Sequence, residues 1–102
     1  MSVVTNAILA FSIMEDEDKK YKEVNAYFED SKGFVSCDDK DLPSGWYGGN
    51  KMLETNVAIG SFNHFSIENF MNHLAKIHWK EPENVQLIAQ EQEENKFKII
   101  SL

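Results

Sequence analysis

Residues 3–13, VVTNAILAFSI, decide the fold of this 102-residue chain. Apolar side chains occupy both alternating sides of the stretch, and only Thr5, Asn6 and Ser12 interrupt them. A strand that is apolar on both faces is typical of the middle of a sheet, although a run of this length could also form a helix. We therefore expect residues 3–13 to form a central strand, with the other elements arranged around it.

Six further segments have the periodicity of secondary structure. Helices are predicted at 15–30 and 66–78, and strands at 34–37, 55–62, 85–90 and 97–102. The first helix begins with acidic residues, which the helix dipole favours there, and Gly33 beyond its end can adopt a positive φ. The second helix has Ser66 as a good N-cap, with Phe65 and Phe70 spaced as a hydrophobic staple.

This order of elements predicts an α+β two-layer sandwich in a single domain, 1–102. It resembles the order of the ferredoxin-like plait, β-α-β-β-α-β, with an extra C-terminal strand. The resemblance implies two helices on one face of a mainly antiparallel sheet, with the first and third strands as central neighbours. It implies nothing about mechanism, because plaits have many unrelated functions. The second sheet face would be open, or would contact a second copy or a partner.

The chain is acidic, with 17 Asp and Glu against 10 Lys and Arg and a formal net charge of −7. Nucleic-acid binding depends on basic side chains, so the charge argues against that class of function. It also argues against an anionic membrane surface as the partner. A basic protein partner, by contrast, would be attracted to an acidic domain.

The single cysteine, Cys37, cannot form an internal disulfide. No signal peptide is recognisable, and no apolar run approaches the ~18 residues that span a bilayer. We therefore expect a cytoplasmic protein in a reducing compartment. Two aspartates follow Cys37, and neighbouring negative charge raises the pKa of a thiol and opposes a reactive thiolate.

Residues 38–54 are an irregular, glycine-containing loop that the predicted fold does not require. Large aromatics in such a loop must pack back on the core or contact another molecule, and long loops are often functional. Both interpretations stay open: Trp46 could close the end of the sheet, or it could bind a partner or ligand. The candidate binding residues are Trp46, Tyr47, Asp39, Asp41 and His64.

No pattern indicates a metal, a cofactor or a catalytic group. Asp38, Asp39 and Asp41 lack the glycine and glutamate that an EF-hand loop requires after them. His73 and His78 are five residues apart, so they do not share a helix face as a metal-binding pair would. We therefore expect no cofactor, no metal site and no catalytic residue, and we lean towards a protein that is not an enzyme.

The favoured hypothesis is a small interaction protein that binds a protein partner, of the type of immunity proteins and phage-encoded inhibitors. Its binding surface would be the 38–54 loop, an exposed sheet face or an acidic edge. Acidic clusters at 15–18 and 91–94 could also mimic DNA phosphates, although such clusters are common on soluble proteins.

Two alternatives belong to other classes. A small-molecule-binding or minor enzymatic domain would have its pocket at the 38–54 loop, where the aromatics could stack on a ligand. A structural subunit would form a homodimer or larger homo-oligomer through the open sheet face or the last strand. That strand is apolar on both sides, which is a liability at a sheet edge; its apolar residues are Phe97, Ile99, Ile100 and Leu102.

Overall fold

The computed structural model describes residues 3–29 and 31–102 and contains two helices and a five-stranded antiparallel sheet. The elements are β1 Val4–Phe11, α1 Glu17–Asn25, β2 Val35–Ser36, β3 Asn56–Asn63, α2 Ile67–Ala75, β4 Gln86–Glu91 and β5 Lys98–Ser101, with a short 3-10 helix at Pro82–Asn84. The predicted α+β class is confirmed.

The strands lie in the order β2-β3-β1-β4-β5, and all four neighbouring pairs are antiparallel. β1 is the middle strand, as its two apolar faces predict. It pairs over its full length with β3, from Val4 opposite Asn63 to Phe11 opposite Asn56. The C-terminal end of β1 therefore meets the start of β3, where the 38–54 loop enters the sheet.

The core lies on one face of the sheet. Along β1, Thr5, Ala7, Leu9 and Phe11 are buried, while the residues between them are more exposed. Both helices pack on this face, because side chains of each belong to the same buried cluster as the strand residues. The cluster includes Leu9 of β1, Val24 of α1, Phe70 and Leu74 of α2, and Leu87 of β4. We call the other side of the sheet the open face.

The first helix is shorter than predicted at both ends. It begins at Glu17, because Asp16 is the N-cap and accepts a hydrogen bond from the Lys19 backbone N–H. It ends at Asn25, whose side chain accepts from Phe34 N at 2.8 Å and donates to Phe34 O at 2.9 Å. The predicted end at Asp30 lies outside the described residues.

The second helix begins as predicted but ends earlier. Ser66 is its N-cap, and the Phe65 and Phe70 rings are 5.1 Å apart, as the hydrophobic staple requires. The helix ends at Ala75, three residues before the predicted end. The Trp79 indole donates to the carbonyl of Leu74 at 2.8 Å and so satisfies one of its terminal acceptors. No helix among the described residues has the length and apolar character needed to cross a membrane.

Candidate binding site

The 38–54 loop folds as a series of turns at one end of the sheet. Backbone hydrogen bonds join Asp39 N to Ser36 O at 3.1 Å, Leu42 N to Asp39 O at 3.0 Å and Trp46 N to Pro43 O at 3.3 Å. Gly45, Gly48 and Gly49 all have positive φ, between 69° and 87°. Side chains other than glycine rarely adopt this conformation, so the glycines allow the chain to reverse around the two aromatics.

Trp46 is fixed at its nitrogen and exposed at its ring. The indole Nε1 donates to the carbonyl of Cys37 at 2.7 Å, which satisfies its one polar group. The side chain is nevertheless 45% exposed. Trp46 therefore does not close the end of the sheet as a buried plug. It presents a positioned aromatic surface to solvent.

Tyr47 takes a different position from its neighbour. Its ring contacts that of Trp46 edge to face at a centroid distance of 6.2 Å, and its hydroxyl accepts from Leu53 N at 3.3 Å. Tyr47 lines an open cavity of about 800 Å³ inside the loop, whereas Trp46 does not. Tyr47 therefore forms part of the cavity wall, whereas Trp46 forms part of the outer surface.

We call the open cavity together with the Trp46 ring the loop mouth. The cavity is lined mainly by the loop and by two residues from the β1–α1 region, Ile13 and Glu17. Its apolar wall includes Ile13, which is 55% exposed, and Met52, which is 79% exposed. The loop mouth thus combines solvent-exposed apolar side chains with charged ones.

Three carboxylates, those of Glu17, Asp38 and Asp39, line the loop mouth. Burial raises the pKa of the Glu17 carboxyl, and the nearby carboxylates of Asp18 and Asp38 raise it further. Burial also raises the pKa of the Cys37 thiol, and Asp38 adds to the effect. The carboxylates are the smaller cause of both shifts, and Lys40 and Lys51 line the same cavity and balance part of the negative charge.

Of the polar residues that the sequence predicts to bind, Asp39 and Asp41 lie in the loop and His64 lies elsewhere. The Asp39 carboxylate is half-buried and accepts from Asp41 N at 2.9 Å, and Asp41 is exposed beside it. His64 follows the far end of β3, about 26 Å from the loop end for a strand of this length. It lines a separate cavity with Tyr27 and neighbouring aromatics, so it does not belong to the loop mouth.

The two acidic clusters differ in what their charges contact. Within the first cluster, Glu15 is buried, and its carboxylate accepts from the backbone N–H groups of Lys80 and Glu81. In the second cluster, the Lys98 ammonium lies 3.8 Å from Glu91 and 3.7 Å from a Glu94 oxygen. These contacts give part of each cluster a structural role, which weakens the DNA-mimicry interpretation.

Sequence reasoning missed two contributors to the loop mouth, Ile13 and Glu17. The predicted strand pairing could have identified them. If β1 and β3 pair antiparallel, the residues that follow β1 must lie beside the residues that precede β3. The contact between the Trp46 indole and the Cys37 carbonyl could not have been identified in this way.

Within residues 3–29 and 31–102, no three His, Cys, Asp or Glu side chains are grouped as metal ligands. Comparison with protein-family models, curated proteins and solved structures gives no match for this chain. Any functional conclusion therefore depends on the geometry of the molecule itself.

Proposed function

We propose that this protein is a small non-catalytic interaction module that binds a basic, partly apolar segment of another protein at the loop mouth. One observation carries the proposal: the Trp46 ring is 45% exposed while its nitrogen is fixed by the Cys37 carbonyl. An aromatic held in place loses little conformational entropy on binding, and aromatics of this kind are the usual anchors of interfaces.

The chemistry of the partner follows from the acidic side chains of the loop and its cavity. Asp38, Asp39 and Asp41 lie in the loop, and Glu17 faces the cavity from α1. A Lys or Arg side chain of the partner would enter this field, and an adjacent apolar side chain would contact Met52 and Trp46. The net charge of −7 would increase the rate of encounter with such a segment.

Two finer points belong to the same proposal. We place the protein in the cytoplasm, which the lone cysteine supports. We also relate the fold to the ferredoxin-like plait with one added edge strand; this is supported by the run β2-β3-β1-β4 within the sheet and by both helices packing on one face.

The test uses three fluorescein-labelled peptides of equal length: one alternating Lys and Leu, one alternating Glu and Leu, and one alternating Lys and Ser. Fluorescence anisotropy measures the binding of each to the full chain. We expect the Lys–Leu peptide to bind most tightly, because only it offers both positive charge and apolar contact. Equal binding of the Glu–Leu peptide would contradict the charge argument.

Variants locate the binding surface. Trp46→Ala should weaken binding of the Lys–Leu peptide by about tenfold or more, a loss typical of an aromatic anchor. Phe97→Ala is the matched control, because Phe97 is an aromatic of equal exposure, 46%, away from the loop. The double change Asp38→Asn with Asp39→Asn should also weaken binding, while Glu83→Gln at an exposed site should not. If Phe97→Ala weakened binding as much as Trp46→Ala, the loop would not be the specific binding surface.

A second candidate function is favoured by the cavity volume. About 800 Å³ is within the range of small-molecule sites. A bound metabolite would raise the melting temperature in a concentration-dependent way. We expect no such rise across a metabolite panel, and a reproducible rise that Tyr47→Ala abolishes would favour the small-molecule function instead.

A further inference from the structure

Each of the five strands has a β-branched apolar residue at the same level of the open face, and the sheet register aligns these five in a single row. Ile8 on β1 is opposite Ile59 on one side and Ile88 on the other; Ile59 is opposite Val35 on β2, and Ile88 is opposite Ile99 on β5. We call these five residues the β-branched row. Its side chains project from the face that neither helix covers.

Two members of the row are exposed despite their apolar character, and the other three are partly buried. Ile59 is 45% exposed and Ile99 is 64% exposed, while Ile8 and Ile88 are partly covered by their neighbours. A shallow apolar depression of about 330 Å³ lies beside Ile8 and Ile59, and the exposed ring of Phe97 borders it. The depression has room for an aliphatic side chain from another molecule.

The residues on either side of the row carry no charge. On one side Ser61 donates to Asn6 at 2.6 Å, and Asn6 donates to Gln90 at 3.5 Å, which forms a neutral polar ladder. On the other side the register aligns neutral residues: Val57, Ala10, Gln86 and Ser101. A surface without charge is notable in a chain in which 26% of the residues are charged.

We propose that a second copy of this chain covers the open face and forms a symmetric dimer. Two copies each carrying −7 repel one another, so they can associate closely only where no carboxylate is brought against another. The open face meets that condition. It offers nothing to the basic partner proposed for the loop mouth, which would need acidic side chains at its interface.

The row is also self-complementary. In a two-fold interface each patch contacts its own copy, so the patch must match itself. A row of Val-Ile-Ile-Ile-Ile presents nearly the same chemistry in either direction, with Ile8 in the middle. β-Branched side chains have few rotamers, so they lose little entropy when they are packed.

The small size of the face is typical of a weak, transient dimer. Five strands about 4.8 Å apart give a face roughly 24 Å wide and about 20 Å long. Such a pair of faces would bury roughly 1,000 Å² in total, which is at the lower end for a specific interface. We therefore expect a dimer that forms between about 1 and 100 µM rather than a permanent one.

The experiment is light scattering or sedimentation equilibrium on the full chain over about 1 to 200 µM. The wild-type mass should rise from 11.7 kDa towards twice that value. Ile59→Lys and Ile99→Lys should each raise the dissociation constant by about tenfold or more, because symmetry places two unpaired charges in the interface. Both positions are exposed in one chain, so we expect the folded state to persist, as checked by circular dichroism.

Met52→Lys is the matched control, since it adds the same charge at an exposed apolar residue in the loop. It should leave self-association unchanged or slightly stronger. A constant wild-type mass of 11.7 kDa would overturn the proposal, as would dissociation by Met52→Lys with no effect of either row variant. A mass that rises beyond two copies would overturn the closed dimer and indicate assembly through the sheet edges.

Discussion

Tyr21 on α1 has a buried hydroxyl that makes no hydrogen bond to any of the residues 3–29 and 31–102. Burial raises the pKa of this phenol to about 12, partly opposed by the nearby Ser36 hydroxyl and reinforced by the negative charge of Glu17. A buried polar group without a partner costs free energy on folding, because it loses its water. The Tyr21 hydroxyl should therefore lower the free energy of unfolding and make it depend on pH.

Tyr21→Phe should leave the free energy of unfolding unchanged or raise it by up to about 1 kcal/mol at neutral pH, because only an unpaired hydroxyl is lost. Between pH 10 and about 12 the unfolded wild type loses the phenol proton while the folded chain keeps it. The stability that the raised pKa provides is therefore complete below pH 10 and is lost as the pH rises through 12. Tyr21→Phe should not show this fall in stability. In the wild type we expect the fall to be about 1 kcal/mol, because partial exposure of the phenol to solvent weakens the effect.

Urea denaturation of both proteins at about pH 8 and about pH 11 measures the difference. Tyr47→Phe is the control for loss of a phenol at the lower pH. It should reduce stability there, because Leu53 N loses its acceptor. An equal loss of stability in the Tyr21 and Tyr47 variants at about pH 8 would show that the Tyr21 hydroxyl has a partner in solution.

At the scale of elements, polar contacts tie the β1–α1 corner to the segment between α2 and β4. Glu15 is 6% exposed, and its two oxygens accept from Lys80 N at 3.0 Å and Glu81 N at 2.8 Å. In the same corner, the Ser12 hydroxyl donates to the Glu81 carboxylate, and Lys20 donates to a backbone carbonyl, that of His78, at 2.6 Å. One carboxylate therefore satisfies two backbone groups far away in sequence.

Glu15→Gln should lower the free energy of unfolding by about 1–3 kcal/mol, because an amide can accept only one of the two backbone hydrogen bonds and turns its NH₂ towards the other. Glu83→Gln changes an exposed carboxylate on the nearby 3-10 helix, and we expect less than about 0.5 kcal/mol from it. Urea midpoints at neutral pH compare the two. Equal effects would mean that the burial of Glu15 contributes no stability.

The type and order of the elements could be predicted from periodicity, but their ends could not. Phe28 and Ile77 continue the apolar spacing of the two helices and pack against the core from the turns beyond them. Periodicity records which residues reach the core, and it does not record where the backbone leaves the helix. The helix ends depend on partners distant in sequence, such as Phe34 for Asn25 and Trp79 for Leu74.

The candidate site was predictable only in part for the same reason. Its loop was identified by composition, because glycines and aromatics occur together at a length that the fold does not need. The orientation of Trp46 depends on the carbonyl of Cys37, and the exclusion of His64 depends on the length of β3. The acidic cluster at 15–18 was interpreted as a helix start, and the burial of Glu15 shows that one member is a structural anchor instead.

At the scale of the whole molecule, the two proposed interfaces differ in charge. The loop mouth has carboxylates beside exposed apolar groups, whereas the open face has an apolar row between neutral residues. The row could not be predicted from any single strand, because each strand contributes one residue and only the register aligns them. The two proposed interfaces therefore differ in how strongly they depend on charge, and salt concentration changes that dependence directly.

Salt should consequently change the two binding events in opposite directions. Raising sodium chloride from about 50 mM to about 500 mM shortens the Debye length and screens the attraction between the loop mouth and a basic peptide, so peptide affinity should fall by about tenfold. The same change screens the repulsion between two copies that each carry −7, so the dimer should become tighter. Anisotropy with the Lys–Leu peptide and sedimentation of the free chain measure the two affinities in matched buffers.

The double change Asp38→Asn with Asp39→Asn should reduce the salt dependence of peptide binding, while Ile59→Lys should still weaken the dimer at either salt concentration. If salt weakened self-association, the copies would be held by charge pairs, and the open face would not be their interface.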